Sequence, residues 1–151
     1  MAKREGWYGI EARFVSHYIA ENFPRCLTWK RVRLGPARFT EEEKLYQILR
    51  RWADAVVFDG AKVYIIEAKI RPKPEGVAQL ELYTRLFPQT PEFYQLRDMP
   101  VVGIYLTALT DKGIKELCEE KGFRYVVYQP DFIKEYFLKK YGYELPPEGV
   151  R

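Results

Sequence analysis

Apolar residues recur along this chain with two spacings, one helical and one alternating. Trp7, Ile10, Phe14, Val15, Tyr18 and Ile19 follow the helical spacing and predict an N-terminal amphipathic helix. Thr28 to Leu34 alternates and predicts a first strand, ended by Gly35-Pro36. Thr40 followed by Glu43 is a capping-box signature, and Leu45, Ile48, Leu49 and Trp52 give the second helix its inner face. Val56-Val57-Phe58 and Val63-Tyr64-Ile65-Ile66 are β-branched or aromatic runs on either side of Asp59-Gly60, which predicts a strand hairpin. Pro72 and Pro74 end its second arm; Val77, Leu80, Tyr83 or Thr84, and Phe87 form the apolar stripe of the next helix, with Pro74 suited to its first turn. Pro100 to Leu106 predicts a buried strand and Asp111 to Lys121 a helix stopped by Gly122. Arg124 to Tyr128 then predicts a strand, and Asp131 to about Tyr141 a closing helix. Such alternation predicts an α/β domain with a mixed sheet covered on both faces.

Three charged groups, Asp54, Glu67 and Lys69, interrupt the apolar hairpin. Burying them is costly unless they are paired or bind a metal. If Asp59 and Gly60 form a two-residue loop, Phe58 faces Ala61, and Asp54 lies opposite Ile65, diagonal to Glu67. A four-residue loop sets Asp54 directly opposite Glu67. Either way the period of two puts Asp54, Ile65, Glu67 and Lys69 on one face, whereas a three-residue loop without a bulge breaks the arrangement. Two converging carboxylates repel, and such oxygen ligands suit a hard divalent cation such as Mg²⁺. Lys69 on the same face is placed to orient a water or to stabilise negative charge developing on a phosphate. The alternative is a solvated hairpin face with Glu67 and Lys69 as a surface pair.

Asp54, a strand hairpin and then Glu67-Ala68-Lys69 resemble the PD-(D/E)XK nuclease superfamily, which includes restriction endonucleases, archaeal Holliday junction resolvases and RecB-type nuclease domains. Gln79-Leu80-Glu81-Leu82-Tyr83 on the following helix resembles the Gln and Tyr helix motif of the RecB-like branch. Element order agrees over most of the chain, while the diagnostic residues occupy Asp54 to Tyr83. The resemblance implies a restriction-endonuclease-like mixed β-sheet core flanked by helices on both faces. It also implies Mg²⁺, with Mn²⁺ as a substitute, held by Asp54, Glu67 and the backbone carbonyl of Ala68, and Lys69 as the catalytic lysine. The family's usual Pro before the Asp is Ala53 here, a departure that touches backbone geometry more than chemistry.

Gln79 and Tyr83, four residues apart, share a helix face. Gln79 is a candidate contact for a metal-bound water, the nucleic-acid backbone or Lys69; the alternative is an ordinary polar residue at the stripe edge. Tyr83 reads as core. Glu11 falls inside the N-terminal apolar stripe, where an acid needs a partner. Gly9-Ile10-Glu11 resembles the first-helix Glu that several branches of the superfamily carry near the metal, and a stripe-edge Glu paired to an Arg is the alternative. His17, the only histidine, projects away from Glu11 and reads as a surface residue, so no histidine-based zinc site can be built.

At 151 residues the chain suits one domain with a proper core, here residues 1–144, with 145–151 as a flexible C-terminal tail. Met1 to Gly6 lacks the apolar run of a signal peptide and no segment approaches spanning length. A soluble cytoplasmic protein with no membrane partner is therefore expected. Cys26 and Cys118 are too few for the four-cysteine iron–sulfur cluster of some relatives and read as buried thiols. The formal net charge of +4 favours a polyanionic partner. Lys30, Arg31, Arg33 and Arg38 lie on and after the first strand, Arg50 and Arg51 precede Asp54, and Arg71 and Lys73 follow Lys69, as a phosphate-gripping rim requires. Trp29, Trp52, Tyr8 and the other tyrosines read mostly as core or rim, with a few available to stack on unpaired bases.

The expected function is a metal-dependent DNA endonuclease or exonuclease hydrolysing phosphodiester bonds. Asp54 and Glu67 hold one or two Mg²⁺, Lys69 positions the attacking water, and Gln79 and Glu11 complete the site. One domain has one site, so cutting both strands needs two visits or a homodimer. Two alternatives belong to other classes: a catalytically idle nuclease-fold protein that binds DNA or serves a structural role, and a nuclease subunit active only inside a larger recombination, transposition or packaging complex.

Overall fold

The structure, a computed structural model, describes residues 7–36 and 52–147. A π-helical turn, Trp7–Glu11, leads into helix α1, Ala12–Asn22. Strand β1, Leu27–Arg33, is followed by β2, Trp52–Phe58, and β3, Val63–Ala68. Helix α2, Pro74–Leu86, and two 3-10 helices, Phe87–Gln89 and Pro91–Leu96, lead to β4, Val101–Thr107. Helix α3, Lys112–Glu120, strand β5, Arg124–Val127, and helix α4, Asp131–Tyr141, complete the order.

The five strands form one sheet in sequence order, antiparallel from β1 to β3 and parallel from β3 to β5. The change of sense has a simple cause. A short loop can return β3 only antiparallel to β2, whereas helices bridge β3 to β4 and β4 to β5 as crossovers. Alternation along the strands divides the core. Ala55, Val57, Tyr64, Ile66, Ile104 and Leu106 meet Phe14, Val15 and Ile19 of α1 and Ile133 and Phe137 of α4. Val56, Val63, Ile65 and Tyr105 meet Val77, Leu80 and Tyr83 of α2 and Ile114 and Cys118 of α3. Both faces of the sheet are covered, so every residue of β3 is buried. No helix among the described residues is long and apolar enough to cross a membrane.

The hairpin loop differs from the two-residue reading. Phe58 pairs with Val63 and Val57 with Tyr64, which leaves four residues, 59–62, in the loop. Asp59 is the reason: its Oδ1 accepts the N–H groups of Ala61 at 2.8 Å and Lys62 at 2.7 Å, and Tyr64 Oη donates to its Oδ2 at 3.0 Å. Gly60 takes φ +97° inside this turn, a value that L side chains rarely adopt.

Trp52 is not the inner face of a helix. It opens β2 opposite Arg33 and is exposed, because pairing with β1 has already begun there. The rest of the helix predicted from Thr40, together with Arg38, Arg50 and Arg51, lies outside the described residues, as does the side chain of Tyr8. Cys118 is buried as expected, whereas Cys26 is only half-buried because it lies in the turn before β1. His17 is not a bare surface residue: its Nδ1 hydrogen-bonds Tyr128 Oη, and Glu21 Oε2 is 3.5 Å away. In the C-terminal segment, Leu145 leans on the core and Gln129 Nε2 donates to the Pro146 carbonyl at 2.8 Å.

Candidate active site

The hairpin register runs through Ala55 opposite Ile66, and one step further it sets Asp54 opposite Glu67 on the α2 face of the sheet. Asp54 is half-buried on β2, where its Oδ2 accepts the N–H of Ala68 at 2.8 Å. Glu67 is only 4% exposed. Its Oε2 lies 3.4 Å from Lys69 Nζ, and its Oε1 is buried without a hydrogen-bond partner. Burial raises the Glu67 carboxyl well above the usual carboxylate range, and the charge of Asp54 raises it further, with Lys69 opposing. The solvated surface pair is thereby replaced by a buried acid, half-satisfied and held beside a second acid.

Lys69 is half-buried just beyond β3, where the chain still rides on β4: its N–H donates to the Leu106 carbonyl at 2.9 Å. Gly76 in the first turn of α2 leaves room for its stem, since a Cβ there would lie 3.0 Å from Lys69 Cγ. Glu11, at the junction of the π-turn and α1, comes to the same end of the sheet. Burial raises its carboxyl, and Asp54 raises it further, while Lys69 and Lys73 lower it. These neighbours replace the arginine partner considered from sequence. Gln79 is half-buried on α2 with its Oε1 buried and lacking a hydrogen-bond partner, and Tyr83 is core.

Does this set fit a divalent cation? Among the described residues no three His, Cys, Asp or Glu side chains stand close enough together to hold a metal by themselves. The facing pair Asp54 and Glu67, at the end of β3, is nevertheless an all-oxygen set that suits Mg²⁺. The orphaned Glu67 Oε1 is an acceptor in need of a positive partner, and a cation between the two acids would remove the repulsion that raises Glu67. The residues present fit the ion.

Of the basic residues on β1, Lys30 Nζ donates to Ser16 Oγ at 2.9 Å and Arg33 Nη2 to the Pro36 carbonyl at 3.4 Å. Arg31 has a left-handed φ of 52° inside the strand, and its guanidinium lies 5.6 Å from the Trp52 ring centroid. Trp29 packs edge-on against Phe93. Arg71 and Lys73 stay by the site, lining a hollow with Lys69 and Glu11.

Sequence reasoning missed two supports. Tyr105, beside Glu67 in the β3–β4 register, accepts the Lys73 N–H at 2.7 Å and donates to the Lys73 carbonyl at 2.8 Å, which holds the connection from Lys69 to α2. Tyr136, Lys140 and Tyr141 of α4 wall the hollow beyond Lys69. A glycine in the first turn of a helix was a signal for the first. Nothing in the sequence joins α4 to Lys69.

No family model and no curated protein matches the chain. Three solved structures resemble it in fold. A repair endonuclease from Pyrococcus abyssi superposes with TM-score 0.51 at 20% identity, over 82% of this chain and 49% of that one. EndoMS bound to double-stranded DNA gives TM-score 0.48 at 18% identity over 79% of this chain and 44% of that one. EndoMS in apo form gives 0.49 at 21% over 80% and 47%. The chain thus spans about half the length of these structures. It shares with the first an α/β fold built on a mixed sheet with helices on both faces.

Proposed function

We propose that this chain is a metal-dependent DNA nuclease of the PD-(D/E)XK type that hydrolyses phosphodiester bonds at the Asp54, Glu67 and Lys69 cluster. The observation that carries the reading is the buried, unpartnered Glu67 Oε1, set beside Asp54 with Lys69 Nζ 3.4 Å from the other Glu67 oxygen. The fold shared with a repair endonuclease supports it, and so does the net positive charge of the chain.

Asp54, Glu67 and the Ala68 carbonyl would hold Mg²⁺, or Mn²⁺ in its place. Such an ion supplies positive charge to the phosphate under attack and to the leaving oxygen. Lys69 donates a hydrogen bond to the attacking water, keeps its oxygen aimed at phosphorus and stabilises the extra negative charge as the phosphorus–oxygen bond to the leaving sugar breaks. Gln79 Oε1, an acceptor without a donor, orients a proton of that water. Glu11, drawn toward protonation by burial and by Asp54, stands at the mouth as a proton carrier.

The test is cleavage of labelled single-stranded, duplex and branched DNA with Mg²⁺, Mn²⁺ or EDTA, comparing the native protein with Glu67→Ala and Lys69→Ala. Cutting that requires metal and falls at least about 100-fold in both variants supports the reading. If nothing is cut, calorimetric titration with Mn²⁺ separates the remaining cases. Binding abolished by Glu67→Ala points to a nuclease subunit lacking its complex, and absence of binding points to an idle fold kept for its surface.

A further inference from the structure

The hollow next to Lys69 has a volume of about 290 Å³, on the scale of a single nucleotide, and its walls come from chain segments far apart in sequence. Lys69, whose Nζ lies 3.4 Å from Glu67 Oε2, lines it together with Glu11 and joins the hollow to the carboxylates. Arg71 and Lys73 from the β3–α2 connection and Tyr136, Lys140 and Tyr141 of α4 complete its lining. Among the described residues no carboxylate stands within ion-pair distance of Arg71, Lys73 or Lys140. Four cations, Lys69, Arg71, Lys73 and Lys140, share the hollow with one carboxylate, Glu11, and an anionic ligand relieves the excess of positive charge. The aromatic part is equally distinctive. Tyr141 is 42% exposed, one of four exposed aromatic side chains among the described residues, and Tyr136 stands edge-on to it with centroids 6.2 Å apart. The Arg71 guanidinium lies 5.6 Å from the Tyr141 centroid, and Lys140 Nζ donates to Tyr136 Oη at 3.2 Å. An exposed ring set among cations that outnumber the acids forms a stacking platform with an electrostatic clamp, the combination that binds single strands. A larger hollow of about 890 Å³, lined by Arg13, His17, Glu21 and Tyr128 among others, includes neither Lys69 nor Glu11 and carries three acids, Glu21, Asp131 and Glu135.

We propose that the hollow is a subsite for one unpaired nucleotide of a DNA strand, with Arg71, Lys73 and Lys140 on a backbone phosphate and Tyr141 stacked on the base. The identity of the polyanion rests on the nuclease reading; the stacking rests on the hollow alone. A base inside a duplex has both faces covered by its neighbours and cannot meet Tyr141. The preferred substrate therefore carries a single-stranded segment next to the cut: an overhang, a flap or a wholly single strand.

The experiment is fluorescence anisotropy in EDTA with a labelled single-stranded oligonucleotide and a blunt duplex of the same length. Tyr141→Ala is expected to weaken single-strand binding about tenfold, with duplex binding unchanged and Tyr141→Phe restoring native affinity. Arg71→Gln and Lys140→Gln, on exposed side chains, are expected to flatten the plot of log affinity against log salt by about 0.7 for each phosphate no longer neutralised. The proposal is overturned if the native protein binds no single strand, if Tyr141→Ala leaves single-strand affinity within about twofold, or if it lowers both substrates equally. Tyr141 also touches Phe137 at 5.5 Å between centroids, so melting curves accompany each variant; Tyr141→Phe and the two glutamine variants test the subsite even if Tyr141→Ala does not fold. The two readings fail separately. Stacking-dependent binding with neither cutting in Mg²⁺ nor binding of Mn²⁺ defeats the nuclease, whereas cutting by a protein whose binding ignores Tyr141 defeats the subsite.

Discussion

Asp54 Oδ2 accepts the backbone N–H of Ala68 at 2.8 Å, which locks the end of β3 against β2 at the residue next to Glu67. An acceptor and a negative charge are thus combined in one side chain. Asp54→Asn keeps an acceptor and removes the charge that repels Glu67, so it is expected to melt no lower than the native protein without metal. Asp54→Ala leaves the Ala68 N–H unpaired and costs about 1–2 kcal/mol. Thermal melts with and without Mg²⁺ check this, with the ion expected to raise the melting temperature of the native protein but of neither variant.

Glu67 sets a pH dependence of stability. Burial, then the Asp54 charge, raise its carboxyl in the folded protein above the 4.5 of an unfolded chain. Above pH 4.5 and up to the folded value, the folded protein holds the extra proton, so stability falls as pH rises through that window. Glu67→Gln removes the effect. It is expected to melt several degrees above the native protein at pH 7 in EDTA, at roughly 2–4 °C per kcal/mol for a chain of this size, with the difference vanishing near pH 4.5. A native protein that gains on the variant between pH 5 and pH 7 would contradict this account.

Gly76→Ala distinguishes a packing constraint from helix propensity. In an exposed helix interior the exchange adds up to about 1 kcal/mol of stability. Here the new Cβ would lie 2.6 Å from Tyr105 Cε2 and 3.0 Å from Lys69 Cγ, and Tyr105 is held at its hydroxyl by both backbone groups of Lys73. A loss of about 1–3 kcal/mol is expected instead. Displacement of Lys69 is expected to slow DNA cleavage at least about tenfold.

Asp59 tests the loop that sets the hairpin register. The Lys62 and Ala61 N–H groups hold its carboxyl below the usual value of 3.8, so its contribution is present above pH 3.8 and is lost as pH falls through the lower folded value. Asp59→Ala is expected to melt a few degrees lower at pH 7, with the gap closing as the solution is acidified below 3.8. A constant gap in melts across that range would remove the charged acceptor from the explanation.

Local pattern made much of this architecture legible. Alternation identified β1, β-branched and aromatic runs identified β2 and β3, helical spacing identified α1 and α2, and the Pro74 and Gly122 boundaries stand where the chain chemistry puts them. The shared face of Asp54, Glu67 and Lys69 was legible too, because a period of two preserves it for two- and four-residue loops alike. The direct facing of Asp54 and Glu67 was not, since it depends on an Asp59 side chain capturing two backbone donors rather than on β propensity. Trp52 misled for a related reason: an aromatic residue suits a helix face and a strand end equally, and pairing with Arg33 decided the matter.

The sequence by itself determined which residues could carry charge-dependent chemistry and which side of a strand or helix each would take, because those follow from residue type and a local period. Tertiary structure alone decided that Glu67 is buried with an orphaned oxygen, that Glu11 meets Asp54, that Tyr105 clamps Lys73, and that the Tyr136 to Tyr141 turn of α4 walls the hollow beside Lys69. These groups lie tens of residues apart, and their meeting depends on how the α1 and α4 layer packs on one face of the sheet while α2 packs on the other. Burial and neighbouring charge are properties of that packing, which no local period encodes.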